Sequence, residues 1–199
     1  MFKKFIFLVA LIFVCNPVFS LDYANFSDNS IIENNINKDY SITKEQQQEF
    51  VSRKLQPNMK CLITEIKKGN IDNVEFLLKA KLDPNGNYIT EYPVLVAAKY
   101  NKEEIVKLLM DYGAKLDRGF YSELYEAVKN KNKNLAKYLI NKGAKLNYQD
   151  ALTNRTTLYL SLKNKMYDIS ALMIKKGAKA DIQSVKYIKR HKLQNLIEQ

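Results

Sequence analysis

Apolar residues recur at helical spacing along most of the chain, in pairs of short segments. The spacing i, i+3, i+4 places such residues on one face of a helix. In the stretch 86–117 the paired apolar faces consist of Val94, Ala97 and Ala98, then Ile105, Val106, Leu108 and Leu109. Three further pairs recur as Leu62 and Ile66 with Val74, Phe76, Leu77 and Leu78; Leu124, Ala127 and Val128 with Leu135, Ala136, Leu139 and Ile140; and Leu158, Ser161 and Leu162 with Ile169, Leu172 and Met173. The pattern predicts an all-α protein built from helical pairs.

A short glycine motif follows each second helix. Gly113-Ala114-Lys115, Gly143-Ala144-Lys145 and Gly177-Ala178-Lys179 are spaced by 30 and 34 residues, and Lys81 holds the glycine position 32 residues before Gly113. A glycine directly after a helix suits the left-handed residue that ends it. The motif therefore marks the end of each unit of an internal repeat.

The combined pattern resembles the ankyrin repeat. Tyr92-Pro93-Val94-Leu95-Val96-Ala97-Ala98 falls in register with the family motif Thr-Pro-Leu-His-x-Ala-Ala, as does Thr156-Thr157-Leu158-Tyr159, and the stretch 77–85 matches the variant that ends Ala-Asp-Pro-Asn. The resemblance implies an ankyrin-repeat solenoid of about four helix-turn-helix units plus terminal caps. The units would span 58–85, 86–117, 118–147 and 148–181, and the C-terminal cap 182–199, a degenerate fifth unit.

Departures from the family motif predict a less regular array. The motif histidine is replaced by Ile63, Leu95, Tyr125 and Tyr159. Only four residues separate Asp117 from Ser122, so the hairpin loop of the third unit should be shortened.

The N-terminus predicts export. Residues 1–20 combine Lys3 and Lys4 with the apolar run 5–14 and a small residue, Ser20, before the expected cleavage point, as in a secretory signal peptide. Cleavage would remove this apolar run, leave no stable membrane span and yield a periplasmic or secreted protein. The alternatives are an uncleaved anchor and, less favoured because Val14 precedes Cys15, a lipoprotein. Residues 21–57 read as a flexible Asn-rich lead-in followed by a capping helix, with Thr43 and Gln46 as a capping box.

Charge makes the repeat region a candidate for acidic partners. The chain has a net charge of +11, and residues 58–199 alone hold 26 basic and 15 acidic residues. Such a field favours binding of acidic surfaces. Solubility, and a lysine-rich composition, could equally explain the excess.

The resemblance implies binding through the hairpin loops and the exposed side of the first helices. The two positions after the paired small residues are Lys67 and Lys68, Lys99 and Tyr100, Lys129 and Asn130, and Lys163 and Asn164. A lysine therefore recurs in all four units, either as a binding stripe or only as a favourable charge at a helix end. A second set, Lys115, Lys145 and Lys179, stands where the family usually has Asp. The loops add Tyr88, Phe120, Tyr121 and Arg155, of which Phe120 and Tyr121 either bind a partner or fold inward.

Residues for catalysis are scarce. His191 is the only histidine, and Cys61 is the only cysteine after residue 20. In a solenoid they would lie in separate units, too far apart for a Cys–His pair, and Cys61 is expected to be a buried, inert thiol. No metal or phosphate-binding motif is present, so we expect no catalytic residues and no cofactor.

Three functions follow in order of preference. The first is protein–protein interaction with an acidic partner surface by a monomeric scaffold. The second is binding of a polyanion, either nucleic acid or an acidic envelope glycan, although no nucleic-acid motif is present. The third is an enzyme with a cluster of polar side chains in the concave groove of the solenoid. The presence of only one histidine in the sequence argues against this function.

Overall fold

The computed structural model describes residues 42–196, and this part of the chain is helical, with two isolated β-bridges and no strand. The helices are α1 (Lys44–Arg53), α2 (Met59–Lys68), α3 (Ile71–Lys79), α4 (Pro93–Lys99), α5 (Glu103–Asp111), α6 (Glu123–Lys129), α7 (Lys133–Asn141), α8 (Thr157–Lys163), α9 (Tyr167–Lys175) and α10 (Ile182–Arg190), followed by a 3-10 turn at Gln194–Leu196. The predicted signal peptide, the lead-in up to residue 41 and Ile197 lie outside the described residues.

The chain divides into two compact units after Lys54, and α1 belongs to the first. Thr43 caps α1 with the predicted capping box, in which the Thr43 hydroxyl accepts from the Gln46 backbone and the Gln46 side chain accepts from the Thr43 backbone. The helix ends at Arg53, earlier than Pro57, because Lys54 adopts a left-handed conformation and donates its N–H to Phe50 and Val51.

The second unit is the predicted solenoid, formed by the pairs α2–α3, α4–α5, α6–α7 and α8–α9. Each first helix packs on the first helix of the next pair, from α2 through α4, α6 and α8 to α10. Stacking of this kind buries the apolar faces of successive pairs in one continuous core.

The predicted inward-facing residues form that core. Among the largest fully buried side chains are Leu62, Ile66, Leu77, Leu109, Leu124, Leu135, Leu139, Leu158 and Leu162. Leu108 and Leu172, which share the predicted faces, are only half-buried. In the fifth unit Ile188 is buried, whereas Val185, Leu193 and Leu196 are half-buried.

Two left-handed residues per unit set the direction of the chain. The first lies between the paired helices, at Gly69, Asn101, Lys131 and Lys165, and the second follows the second helix, at Lys81, Gly113, Gly143 and Gly177. Lys192 holds the first position after α10, and the 3-10 turn begins two residues later, where a second helix begins in the other units. The structure thus places α10 in the repeat register.

Polar side chains cap the N-terminus of most first helices. Asn58, Ser122, Thr156 and Asp181 each accept the backbone N–H three residues ahead. An oxygen acceptor at this position satisfies a backbone donor that has no partner within the helix. The exception is α4, which begins with Pro93 and so has one fewer donor to satisfy.

Asn and Asp side chains join the connections between units into one edge. The acceptors Asn85, Asp117 and Asn147 each bind the backbone N–H of a lysine in the next connection, at Lys115, Lys145 and Lys179 respectively, with distances of 2.8 Å. We call residues 80–92, 112–122, 142–156 and 176–182 the loop edge, and these three hydrogen bonds the Asx bridges. They hold consecutive loops side by side.

Candidate partner-binding surface

The four predicted lysines occupy one structural position. Lys67, Lys99, Lys129 and Lys163 lie in the last turn of α2, α4, α6 and α8, each two residues before the left-handed residue that follows the first helix. Arg190 holds the same position in α10, two residues before Lys192. We call these five residues the basic column.

Arg190 was missed in the sequence because the fifth unit lacks the glycine motif that aligns the others. The residue that could have revealed Arg190 is Ile188, whose burial identifies the inward face of α10. Arg190 lies two residues after Ile188 and is the last residue of the helix.

Acidic neighbours neutralise part of the basic column. Lys67 Nζ lies 2.7 Å from Glu91 Oε2, and Lys129 Nζ lies 3.5 Å from Glu126 Oε2. Within residues 42–196, Lys99, Lys163 and Arg190 form no ion pair, and all three are exposed. The charge that remains available to a partner therefore belongs to the second, fourth and fifth units.

Tyr100 extends the column with an aromatic ring. It caps the C-terminus of α4, is 44% exposed, and has Lys67 Nζ 5.9 Å from its ring centroid. An exposed tyrosine beside a lysine offers both apolar area and a hydrogen-bonding hydroxyl, a combination frequent at interfaces.

Asn130 and Asn164, which the lysine pattern placed beside the column, are engaged between units. Asn130 Nδ2 donates to the backbone oxygens of Ala98 and Lys99 at 3.0 and 3.1 Å, and Asn164 Nδ2 donates to Val128 at 2.8 Å. These carbonyls lie at the C-terminal ends of α4 and α6, where Ala98 and Val128 also accept the backbone N–H of Asn101 and Lys131. Both asparagines therefore stabilise the stacking of neighbouring units.

The predicted loop residues differ in exposure. Tyr88 and Arg155 are half-buried, and Tyr88 exchanges backbone hydrogen bonds with Glu91 in the first loop. In the shortened loop Phe120 is 91% exposed and Tyr121 54%, so the inward-folded alternative for this pair is wrong. The basic column is at the ends of the first helices, whereas these four residues precede their starts.

A buried carboxyl group follows the shortened loop in the sequence. Glu123, the first residue of α6, is almost fully buried, and its Oε2 accepts the backbone N–H of Asp117 at 3.1 Å. The pKa of Glu123 is raised to about 7, mainly by burial and in part by the neighbouring Asp117 carboxylate. Asp117 Oδ1 is buried without a hydrogen-bond partner among the described residues. A protonated Glu123 can donate to Asp117, whereas an ionised one repels it.

Glu65 is a second buried carboxyl group, with the opposite behaviour. Burial alone would raise the pKa of Glu65, but hydrogen bonds from Lys68 Nζ at 2.6 Å and Asn73 Nδ2 at 2.8 Å outweigh it and hold this pKa below its usual value. The Glu65 side chain is therefore an ionised carboxylate that links α2 to α3 through these hydrogen bonds, and it has no proton to donate.

No arrangement for catalysis is visible in the described part of the chain. Cys61 is half-buried in α2, and burial raises the pKa of its thiol, which therefore stays protonated at neutral pH. His191 stacks on Tyr187 at a centroid distance of 4.0 Å, at the end of α10. Between residues 42 and 196 no three His, Cys, Asp or Glu side chains converge as metal ligands do, and no helix is long and apolar enough to span a bilayer.

A family model describing ankyrin repeats, in three copies, matches residues 62–150. Residues 62–150 belong to the ankyrin-repeat family. The match covers the first three helical pairs, and the structure continues the same ankyrin register through α8, α9 and α10. A search of curated proteins gave no significant match.

The ankyrin repeats indicate a general class of activity. Ankyrin repeats mediate protein–protein interaction, and the family is typically made of non-enzymatic scaffolds. The ankyrin repeats thus suggest a protein partner for this array.

Proposed function

We propose that the chain is an exported, monomeric scaffold whose basic column binds an acidic surface on a partner protein. The observation that carries this proposal is the recurrence of a cation at one structural position in five successive units, from Lys67 to Arg190. Three of the five cations are exposed and without an ion pair among the described residues. Tyr100 supplies adjacent aromatic area.

The constant position of the basic-column cations supports a role in binding in addition to their interaction with the helix dipole. A cation near a helix C-terminus gains about 0.3–1 kcal/mol from the helix dipole, but a lysine one residue earlier or later would gain the same. The column keeps one position in every unit. A constant position in a stacked array aligns the charges in a row, which suits an extended acidic surface.

Charge reversal on the column should weaken binding. A variant with Lys99→Glu, Lys163→Glu and Arg190→Glu should capture partner protein about tenfold less well or worse, since like charges across an interface oppose association. The matched control carries Lys137→Glu, Lys175→Glu and Lys176→Glu, which are exposed residues of the second helices and their ends, and should bind as the unaltered protein does. Quantitative affinity capture from native extract, with the captured proteins identified by mass spectrometry, measures both. Equal capture by the two variants excludes the column as the binding surface.

Polyanion binding is the second candidate, favoured by the net charge of +11. Binding to phosphates weakens steeply as salt rises, because bound counterions are released. A salt titration of the captured complex separates the candidates, since an interface that includes Tyr100 depends less on ionic strength.

Export is proposed from the signal-like sequence of residues 1–20. Protein recovered from intact cells should begin at Leu21, which N-terminal peptide mass spectrometry determines. Recovery of the chain with residues 1–20 still attached would favour the uncleaved anchor.

A further inference from the structure

Exposed apolar side chains recur along the loop edge, one in each connection between units. Ile89, Phe120, Leu152 and Ile182 are 75%, 91%, 93% and 74% exposed. They are spaced by 31, 32 and 30 residues, close to the repeat length. Isolated exposed apolar residues are ordinary, but a series of them at the repeat interval is a property of the array.

Hydrogen bonds between loops place this series on one edge of the solenoid. The Asx bridges join each connection to the next. At the end of the array, Gln183 Nε2 donates to the backbone oxygen of Asn154 at 3.4 Å and ties the third connection to the start of α10. The four side chains therefore follow one another along the stacked loops. We call them the apolar tips.

Positive charge accompanies the apolar tips. Lys115, Lys145 and Lys179 are exposed, and within residues 42–196 they form no ion pair. Asp117, Asp150 and Asp181 of the same loops accept backbone N–H groups and keep their charge. The loop edge as a whole nevertheless holds eight basic residues against five acidic ones. The loop edge thus combines the apolar tips with lysines that form no ion pair among the described residues.

We propose that the loop edge docks on the surface of an anionic lipid bilayer. The apolar tips would enter the boundary between headgroups and acyl chains, and the three lysines would lie against the lipid phosphates. Shallow burial of apolar side chains together with attraction to anionic lipid is the general basis of interfacial membrane binding. This surface is distinct from the basic column, which is at the opposite ends of the first helices.

The tips recur at about the repeat interval but differ in their offset from the next helix, which favours a fluid acceptor over a folded protein. Ile89, Phe120 and Leu152 precede their helices by four, three and five residues, and Ile182 is the first residue of its helix. A rigid partner would need a pocket matched to each offset, whereas a bilayer requires no such match. Exposures above 70% also show that the tips do not pack together into the contiguous patch typical of a protein interface.

Backbone strain at the first tip supports a functional role. Ile89 has a φ of 62°, a left-handed conformation that is a rare outlier for a β-branched residue. The Asn87 side chain donates to the Ile89 carbonyl at 2.8 Å and helps to hold this turn. Strain of this kind is concentrated at functional sites, where the surrounding structure maintains it.

The absence of tryptophan from the sequence allows a direct test with the full chain. Phe120→Trp and Leu152→Trp each introduce a single fluorophore at a tip, and Tyr100→Trp introduces one on the basic column as the matched control. Each protein is mixed with vesicles of phosphatidylcholine containing phosphatidylglycerol, with bromine atoms on the acyl chains. We expect blue-shifted, quenched emission at positions 120 and 152 and unchanged emission at position 100.

A second measurement uses a variant with all four apolar tips changed to serine. Its partitioning onto the same vesicles should fall at least tenfold, and that of a Lys115→Gln, Lys145→Gln, Lys179→Gln variant should fall on phosphatidylglycerol vesicles but not on pure phosphatidylcholine. The apolar run 5–14 is present in every protein, so differences between variants report on the loop edge.

Two outcomes would overturn the proposal. Emission at positions 120 and 152 that matches position 100 in the presence of vesicles would show that the tips stay in water. Emission that shifts only when a captured protein partner is added would assign the tips to a protein interface. Because the basic column is unaltered in the tip variants, protein capture by them reports on the proposed function separately.

Discussion

Stability should fall by about 3 kcal/mol between about pH 5 and about pH 8 because of one carboxyl group, Glu123. Its pKa is raised to about 7, chiefly by burial and further by Asp117, while an unfolded glutamate has its ordinary, lower value. Between the two pKa values the folded chain holds a proton that the unfolded chain has released. Raising the pH through this window therefore favours unfolding, and the stabilising effect is complete only below the unfolded pKa.

The variant Glu123→Gln isolates this effect. Glutamine keeps an oxygen to accept the Asp117 N–H and adds an N–H that can donate to the Asp117 carboxylate, as a protonated glutamate would. We expect the variant to match the unaltered protein at low pH and to exceed its unfolding free energy by up to about 3 kcal/mol at about pH 8. Urea unfolding followed by circular dichroism at several pH values gives both curves.

The pH response of Glu65 has the opposite sign but is common to both proteins, so it cancels in the difference. Parallel curves would mean that Glu123 is ionised in the folded chain at neutral pH.

Truncation in the middle of the array should have an effect of similar size. Leu139 in α7 is fully buried, and replacing a buried leucine by alanine removes about 2–5 kcal/mol of stability through lost burial and the cavity left behind. In a solenoid each unit is stable only against its neighbours. We therefore expect Leu139→Ala to lower the unfolding free energy and also to broaden the transition, as the array separates into parts.

Leu152→Ala provides the control, because it is the same substitution at a side chain that is 93% exposed. Its unfolding free energy should stay within about 0.5 kcal/mol of the unaltered protein. Denaturant unfolding of the two variants under one set of conditions makes the comparison. If Leu139→Ala lost no more unfolding free energy than Leu152→Ala, the packing of Leu139 in α7 would not contribute to the stability of the core.

The repeat architecture could be predicted from the sequence because it depends on periodic features. Apolar residues at i, i+3 and i+4 fix which helix face is buried, and nearly all of the predicted core positions are buried in the structure. The positive φ at Lys81 follows from the same reasoning, since this lysine aligns with three glycines that end helices. Periodicity averages over four copies, so an irregularity in one copy does not obscure it.

The chemistry of single side chains could not be predicted in this way. Glu123 occupies the position of an ordinary first-turn carboxylate, and its pKa is raised by burial and by the Asp117 carboxylate. Likewise, the lysine pattern gave no means of telling Lys67, which is paired with Glu91, from Lys99, which is not. Both distinctions depend on contacts between residues of different units, and a pattern along the chain does not contain these contacts.

The Asx bridges make the junction between units directional. In each bridge the acceptor side chain belongs to the earlier unit and the backbone donor to the later one. A unit inserted by gene duplication would be compatible with its neighbours whenever it carries Asn or Asp four residues after its own glycine position, whatever its surface residues. The array can therefore acquire new units and new surface sequences independently, which separates the evolution of length from the evolution of specificity.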